Sequence, residues 1–490
     1  MILSKIYYPF LSFQLPGFGL KVLLSTPPWK TTELWPPLGL LYIAGTVKRR
    51  RNDEVVVLDA FCENLSKEQL VERVRQERPD VVGMNCSTHT FLTTIEALQE
   101  VHRQMPEVKI VLGGYHATFA ATEILKDYPF IDYIIKGEAE RALPRLLDHI
   151  EAGTVPDDVD GITYRAGEGL VERPLALIED LDDLPFPDRS LLKNVNYGYY
   201  FQGIPLTFGK FTTISTSRGC PFTCSYCSCA AFSARRWRYR SAKSVVDELE
   251  MLYKDGYKEV VFVDDNFTHK NSRVEEICDL IQERGIKMKF YCEGRANHAS
   301  LPLLRKMKKA GFNVIYFGAE SASPHVLEFY NKKMTADKTA EAVANAKKAG
   351  MLVITSYIVG APIESREDIR RTISFAESLR PHGVQYNILD FLLGTPLWED
   401  LKKEGKVRPE DWKTNHRVYE YFPEHASKEE LEALVNDGYG SFIGAWKNLS
   451  GLREFLRILV VNPTARGIIM GNLTNPKARK ALTDGLKEFQ

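Results

Sequence analysis

The chain has 490 residues, which is more than one hydrophobic core usually serves, so two or three domains are expected. Lysine plus arginine and aspartate plus glutamate each number 64. The resulting net charge of zero gives no electrostatic case for binding nucleic acid or an acidic membrane surface. No apolar run reaches the ~18 residues of a membrane-spanning helix.

The first 19 residues are rich in aromatic side chains but are interrupted by Ser, Gln, Pro and Gly. We expect an extension before the first strand, with an amphipathic membrane contact as the alternative, and no signal peptide. A cytoplasmic location follows as an expectation. Without a secretory signal, the eight cysteines favour metal or cluster ligation over disulfides, because four of them fall between Cys220 and Cys229.

Residues 20–150 alternate short runs rich in Val and Ile with helical patterns such as SKEQLVERVRQER. This alternation predicts an α/β domain with a parallel sheet and helices on both faces. Ligands of such sheets bind beyond the carboxyl ends of the strands. Residues 151–205 are richer in Asp, Pro and Gly, and we interpret them as a linker.

A second alternation covers residues 206–405 with six strand–helix units. Six parallel units predict an incomplete barrel of the (β/α)8 type rather than a closed one. The remainder, residues 406–490, has a helical pattern. The predicted order is therefore an α/β domain, a linker, a partial (β/α)6 barrel and a carboxyl-terminal helical region.

Three cysteines directly after the first strand of the second unit carry the strongest signal. Cys220, Cys224 and Cys227 stand in a C-x3-C-x2-C spacing. Three thiolates are one short of the four that usually hold a cubane cluster, so one iron stays open to a small molecule. A structural zinc site with Cys229 as the fourth ligand is the alternative, but zinc sites usually pair two distant C-x2-C knuckles.

With this motif and the six units, the chain resembles the radical S-adenosylmethionine superfamily. The resemblance implies that the three cysteines hold a [4Fe–4S] cluster, that the open iron chelates S-adenosylmethionine, and that an electron cleaves the sulfonium to give a 5′-deoxyadenosyl radical. It also implies anaerobic chemistry and an external electron donor of the flavodoxin or ferredoxin kind.

Strand ends that match superfamily positions supply the expected contacts to S-adenosylmethionine. A carboxylate suits its amino group, and the superfamily's Gly-Gly-Glu is replaced here by the two neighbouring Asp residues, for which helix capping is the alternative. A buried ion pair is the alternative for the Glu and Arg that end the third strand. The residues expected from the resemblance are Asp264, Asp265, Glu293, Arg295, Glu320, Ser356 and Gly360.

The first domain resembles the cobalamin-binding domain fused to many radical enzymes, through residues 35–44, 113–118 and 135–140. The resemblance predicts a Rossmann-like cobalamin-binding fold. The usual Asp-x-His-x-x-Gly motif is missing, which suggests cobalamin with no protein histidine on cobalt; loss of cobalamin is the alternative, and so is a structural role for the histidine at 116. The expected contacts are Pro37, Leu38, Gly39, Ser87, Thr88, Gly113, Gly114, His116, Gly137 and Glu138.

The family contains carbon methyltransferases and the anaerobic magnesium-protoporphyrin ester cyclase. The resemblance therefore implies methyl transfer from S-adenosylmethionine through cobalamin to an unactivated carbon, with radical oxidation or cyclisation as the alternative. Methylthio transfer would need three further cysteines in the first domain, and an electron carrier would not need the open iron. The substrate is expected to be a peptide, a protein or a small molecule. Length and carboxyl-terminal helices also resemble the archaeal enzymes that methylate a glutamine α-carbon in methyl-coenzyme M reductase.

Overall fold

Two parallel sheets organise the chain in the computed structural model, which describes residues 19–29, 34–192, 195–202, 204–447 and 462–474. All of the predicted extension except Gly19 lies outside these described residues. The first sheet has seven strands in the order β2-β1-β3-β4-β5-β6-β7, and the first five are parallel to one another. Its strands are β1 (Lys21–Ser25), β2 (Glu54–Leu58), β3 (Val81–Asn85), β4 (Lys109–Gly113), β5 (Tyr133–Ile135), β6 (Ile162–Ala166) and β7 (Gly169–Glu172).

The helices of the first domain pack on both faces of this sheet, as the alternation predicts. Each presents one apolar side; α3, for example, buries Phe91, Ile95 and Leu98 at a helical spacing. Each large side chain buried in this way contributes roughly 1.5–3 kcal/mol of transfer free energy. The helices are α1 (Leu38–Arg50), α2 (Lys67–Glu77), α3 (Phe91–Gln104), α4 (Tyr115–Phe119), α5 (Ala121–Asp127) and α6 (Ala142–Ala152).

Part of the segment predicted as a linker belongs to the first sheet. β6 pairs antiparallel with β5, and β7 pairs antiparallel with β6, so the sheet extends beyond residue 150. The high content of Asp, Pro and Gly around these strands is typical of a linker, so the sequence did not predict the short hairpin. Of the described residues, 173–192 and 195–199 have little regular structure, with a short 3-10 turn at Arg189–Leu191.

The second sheet has six parallel strands in the order β10-β13-β14-β15-β16-β17, and β10 and β17 are its two ends. This is the predicted incomplete barrel. Its strands are β10 (Phe211–Ile214), β13 (Glu259–Phe262), β14 (Lys289–Gly294), β15 (Phe312–Glu320), β16 (Leu352–Val359) and β17 (Gly383–Ile388). Its helices are α8 (Ala242–Lys254), α9 (Asn271–Glu283), α10 (Leu301–Ala310), α11 (Pro324–Phe329), α12 (Ala336–Lys348) and α13 (Arg366–Leu379).

Three two-stranded antiparallel sheets and several helices complete the described part of the fold. The strand pairs are β8 (Tyr200–Phe201) with β9 (Ile204–Pro205), β11 (Ser217–Arg218) with β12 (Arg238–Tyr239), and β18 (Asp390–Phe391) with β19 (His416–Arg417). The helices are α7 (Cys229–Phe232), α14 (Pro396–Lys403), α15 (Val418–Tyr421), α16 (Lys428–Lys447) and a last described helix, Pro463–Thr474.

The last described helix packs at the amino-terminal end of the barrel. Ala465 is buried in an apolar cluster with barrel side chains that include Phe211, Tyr291 and Leu352. The side chain of Asn462 caps the helix by accepting from the backbone of Thr464 and Ala465. The helix therefore covers part of the amino-terminal end of the barrel.

The two sheets share a hydrophobic core. One buried cluster runs from helix α3 of the first domain to β17 and α14 beyond the barrel. Phe91 contacts Trp412 across this boundary, with ring centroids 5.5 Å apart. Because the buried cluster is continuous, the domains are held in one arrangement. None of the described helices is both long enough and apolar enough to cross a membrane.

Candidate cofactor site

A cavity of about 750 Å³ lies between the carboxyl ends of the first sheet and residues 219–237. This segment carries the three motif cysteines and is called the cysteine loop. The first sheet contributes strand ends such as Thr26, Asn85 and Gly113, at the point where the strand order reverses. The second domain contributes Gly219 and Asp265 among others. A ligand of the first domain would therefore touch the cysteine loop directly.

Eight of the ten residues expected to contact cobalamin line this cavity: Pro37, Leu38, Gly39, Ser87, Gly113, Gly114, Gly137 and Glu138. Glycine is required at Gly114, where φ is +92° and a Cβ would lie 2.6 Å from the carbonyl oxygen of Cys86. At Gly39 the protein itself does not require glycine, because a Cβ there would meet no atom within 4 Å and would point into open space. The strand ends thus form an open cradle.

The remaining two expected contacts, Thr88 and His116, lie beneath the cradle and not in its lining. His116 is 1% exposed and stacks on Phe91, with centroids 4.0 Å apart. Its Nδ1 is 3.3 Å from the Thr88 hydroxyl. Burial lowers the pKa of this imidazole to about 3, so the ring is neutral. The ring is packed in the core, and its Nε2 is buried with no hydrogen-bond partner among the described residues.

The three motif cysteines lie in the loop between β11 and α7. Cys224 is buried, and Cys220 and Cys227 are partly exposed. The thiol of Cys229 donates a hydrogen bond to Cys227 and lowers the pKa of that thiol to about 7. Among the described residues, no three Cys, His, Asp or Glu side chains converge on one metal-ion position. In a cubane cluster each thiolate binds a different iron, so its ligands need not converge on a single point.

The two neighbouring aspartates that follow β13 have different environments. The Asp264 carboxylate is buried and accepts hydrogen bonds from the backbone and hydroxyl of Thr216, at 2.7 and 2.5 Å, and from Ser217 at 2.6 Å. Asp265 lines the cavity and accepts from the backbone of Gly219 at 3.0 Å. Burial raises the pKa of Asp265. Of the pair, Asp265 is the one positioned to meet a cation in the cavity, and Asp264 supports the strand that leads into the loop.

Arg295, which follows β14, reaches the cysteine loop. Its guanidinium lies 3.8 Å from the ring centre of Phe222, and Nη1 is 3.9 Å from the sulfur of Cys224. Its Nε and Nη2 are buried and have no hydrogen-bond partner among the described residues. A buried cation with free donors beside a thiolate loop suits an anionic group. Glu293, at the end of the same strand, is exposed.

Glu320 ends β15 with a φ of +63°, which is strained for a residue other than glycine. Its carboxylate accepts from Lys332 at 2.6 Å and from the Tyr226 hydroxyl at 2.9 Å. Tyr226 stands between two of the motif cysteines. Glu320 is therefore tied to the cysteine loop through Tyr226.

Ser356 and Gly360 follow on β16 and just beyond it. Ser356 is buried and forms a hydrogen bond with Tyr316. Burial raises the pKa of the Tyr316 phenol, and this hydrogen bond lowers it by less, so the pKa stays raised. Gly360 has a φ of +90°, and its amide donates to Glu364 at 2.7 Å. A Cβ at Gly360 would lie 3.0 Å from Val418, so this turn is packed under the carboxyl-terminal region.

Glu138 lines the cavity, but its carboxylate is occupied. Both of its oxygens are 2.8 Å from Arg238, and the backbone amide of Ile178 donates to it at 2.7 Å. Burial alone would raise the pKa of Glu138, yet Arg238 and Arg218 hold it below its usual value. The predicted contact between this carboxylate and cobalamin would have to compete with two arginines.

Several cavity residues are absent from the sequence-based expectation. Trp35 lines the cavity with a buried Nε1 that has no partner in the described part of the chain. His89 also lines it, one residue beyond a predicted contact, so its position after β3 was the available signal. Tyr115 of α4 stacks on Phe232 of α7, with centroids 4.1 Å apart, and joins the two walls.

The residues present fit the three groups that the sequence implies. The glycine-lined cradle and the free Trp35 donor suit a large flat ligand with polar edges. The three thiolates and the free donors of Arg295 suit an anionic cluster. The Asp265 carboxylate, open to the same cavity, suits an ammonium group.

Two family models match the chain: the B12 binding domain over residues 30–147, and the Radical SAM superfamily over residues 214–376. An uncharacterised methyltransferase from Pyrococcus horikoshii is 32% identical over 432 residues, which are 86% of this chain and 92% of that protein. The anaerobic magnesium-protoporphyrin IX monomethyl ester cyclase of Cereibacter sphaeroides is 30% identical over 382 residues, which are 76% of this chain and 61% of the cyclase.

The fold is also that of a solved enzyme. The cobalamin-dependent S-adenosylmethionine radical enzyme OxsB, solved with aqua-cobalamin and S-adenosylmethionine bound, superposes with a TM-score of 0.68. Sequence identity is 16%, and the match covers 96% of this chain and 75% of OxsB. At this identity the match concerns the fold alone.

Proposed function

The chain belongs to the cobalamin-dependent radical S-adenosylmethionine methyltransferases, and on that premise we propose that it moves the methyl group to an unactivated carbon of its substrate. The enzyme uses a [4Fe–4S] cluster, S-adenosylmethionine and cobalamin. One observation carries the proposal: a single cavity is lined by the strand ends of the first sheet and by Gly219 and Cys229 of the cysteine loop, while Cys220, Cys224 and Cys227 lie in the same loop outside the lining. The cofactor centres would therefore be neighbours, which is what one acceptor carbon passing between them requires.

When bound, these groups supply reductive cleavage of a sulfonium, hydrogen removal from carbon and a methyl group carried by cobalt. In the proposal the residues Cys220, Cys224 and Cys227 hold the cluster. Asp265 attracts the amino group of S-adenosylmethionine, and Arg295 attracts an anionic neighbour with its free donors.

The other contacts keep these groups in place. Glu320 and Lys332 fix Tyr226, which orients the backbone of the cysteine loop. The last described helix packs over the opposite end of the barrel and covers apolar side chains there.

The finer proposal concerns the acceptor. The sequence resemblance favours a glutamine α-carbon of methyl-coenzyme M reductase, so the substrate would be a protein. The test compares a peptide that contains this glutamine with the same peptide carrying alanine there. Mass gain only in the first peptide would support the proposal, and equal reaction or no reaction of both would remove it.

Labelled S-adenosylmethionine tests methyl transfer itself. Anaerobically reconstituted enzyme, reduced and supplied with the acceptor and with trideuteromethyl S-adenosylmethionine, should give a product with a trideuterated methyl group. An oxidised or cyclised product without label would instead support chemistry like that of the related cyclase.

A matched pair of cysteine variants is the control. Cys224→Ser should abolish the formation of both 5′-deoxyadenosine and the methylated product. Cys278→Ala should retain both, because Cys278 is buried in the core of α9, outside the motif. Retained activity in Cys224→Ser would contradict the assignment of the cluster.

A further inference from the structure

Two glutamates of the first domain hold two arginines of the second domain in the wall of the cavity. Glu138 binds Arg238 through both carboxylate oxygens at 2.8 Å, and Glu140 binds Arg218 at 2.6 Å. A third contact of 3.4 Å joins Arg218 to Glu138. The side chains of Glu138, Glu140 and Arg238 are only 5–6% exposed, and that of Arg218 is 18% exposed. All four line the cavity.

The two arginines stand at the base of the cysteine loop. Arg218 and Arg238 face each other as paired residues of the antiparallel strands β11 and β12. Everything between them, residues 219–237, is the loop that carries the three motif cysteines. Holding both arginines therefore fixes both ends of that loop.

The two glutamates stand at the base of the cobalamin-binding cradle. They lie in the segment that follows β5, and Glu138 is adjacent to Gly137, whose φ is +72°. The long connection between the domains is bound to the same cluster, because Ile178 donates its amide to Glu138 and accepts from Arg238 at 2.7 Å. Three separate parts of the chain thus meet at these four charges.

The charges balance within the group: two carboxylates face two guanidinium groups. Bidentate pairs between arginine and carboxylate fix direction as well as distance. In a buried setting, loss of one partner leaves the other charge uncompensated and drives the surrounding structure to rearrange. A clamp of this kind is rigid while complete and loosens when one member is neutralised.

We propose that Glu138, Glu140, Arg218 and Arg238 form an interdomain clamp that sets the position of the cysteine loop relative to the cobalamin-binding sheet. They are positioning residues, and Glu138 acts on the arginines and not as a contact to cobalamin. The inference rests on the proposed function only in requiring both centres in one chain. It assigns no role in the chemical step to the four residues.

The test measures the distance between the two cofactor centres in holoenzyme reconstituted with the cluster and cobalamin. Each centre is first reduced by one electron to a paramagnetic state. Electron paramagnetic resonance then reports the spin–spin interaction, and hence the distance distribution, between the two centres. Wild-type enzyme should give a narrow distribution. Glu138→Gln and Arg238→Gln should each broaden or shift it, and the double variant should add little, because both remove the same interaction.

Asp53→Asn is the matched control. Asp53 is a buried partner of Arg51 within the first domain, outside the cavity lining. It should lower stability without changing the distance distribution. A wild-type distribution in Glu138→Gln, or equal broadening in Asp53→Asn, would overturn the clamp. Because the measurement requires no methyl transfer, it can succeed or fail independently of the proposed activity.

Variants that fail to load cofactors are tested without them. Hydrogen exchange of residues 219–237 in the cofactor-free protein should be faster in Glu138→Gln than in both wild type and Asp53→Asn. Equal exchange in the two variants would overturn the proposal.

Discussion

At the scale of single residues, the sequence identifies positions better than it identifies side-chain directions. Asp264 and Asp265 are chemically identical neighbours at a strand end, and the sequence offers no means of ranking them. In the fold, one is bonded to Thr216 and Ser217, and the other opens to the cavity. Which neighbour points inward depends on how the strand meets the cysteine loop, a contact between segments about 48 residues apart.

Glu364 provides a residue-scale prediction about pH. Burial raises the pKa of its carboxyl to about 7 from 4.5, although the amides of Gly360 and Ala361 donate to it. The folded state therefore binds a proton that the unfolded state has released between these pH values. Stability should fall as pH rises from about 4.5 to about 7 and then level off.

Glu364→Gln should remove this pH dependence and raise the free energy of unfolding at pH 8 by about 1–3 kcal/mol. Urea unfolding at pH 5 and pH 8 measures the effect. Glu367→Gln, at an exposed position on α13, is the control and should behave as wild type. The same pH slope in wild type and Glu364→Gln would contradict the prediction.

At the scale of elements, the alternation of short apolar runs and helical patterns predicted two α/β units in their observed order. In the fold, helices α8 and α13 are preceded by Ser241 and Ser365, whose side chains accept hydrogen bonds from the first turn. The β6–β7 hairpin was not predicted, because strands of five and four residues among Asp, Pro and Gly give too little periodicity. The location of the last described helix was not predicted either. Its helical pattern can be read from neighbouring residues, but its packing against the barrel involves residues far away in the sequence.

The last described helix should depend on its buried side for stability. Ala465 is 5% exposed against apolar side chains of the barrel, so a carboxylate there would be buried without a partner. Ala465→Glu should lower the free energy of unfolding by at least about 3 kcal/mol. Met470→Glu, 53% exposed on the same helix, should cost less than about 0.5 kcal/mol. Urea unfolding measures the free energy of unfolding of both variants. Equal losses of that free energy in the two variants would contradict the packing of this helix against the barrel.

At the scale of the whole molecule, the cofactor classes followed from local motifs, whereas the shared cavity did not. Its walls come from segments that the sequence separates by a hundred residues or more, such as Glu138 and Arg238. Such pairs leave no local sequence pattern, because neither charged residue differs from an ordinary surface residue until folding brings the two together. The resemblance placed Glu138 in the cavity, but only the fold shows that two arginines already occupy its carboxylate.

The cavity also yields a prediction about separate loading of the two cofactor centres. Gly39 is the second residue of α1, lines the cavity and has open space where a Cβ would lie. Gly39→Phe should fill part of the cradle without backbone strain, since a helix favours any such residue over glycine. Cobalamin bound per chain should fall at least about tenfold, equivalent to about 1.4 kcal/mol of binding free energy, while iron per chain stays constant.

Gly440→Phe is the control, because Gly440 also lies in a helix with open space at its Cβ but outside the cavity lining. Visible absorption and cobalt analysis measure cobalamin, and iron analysis measures the cluster. Loss of both in Gly39→Phe would indicate misfolding. Retention of both would mean that cobalamin does not occupy the space in front of α1. Loss of cobalamin alone is expected, because the cradle belongs to the first sheet and the thiolates belong to the second domain.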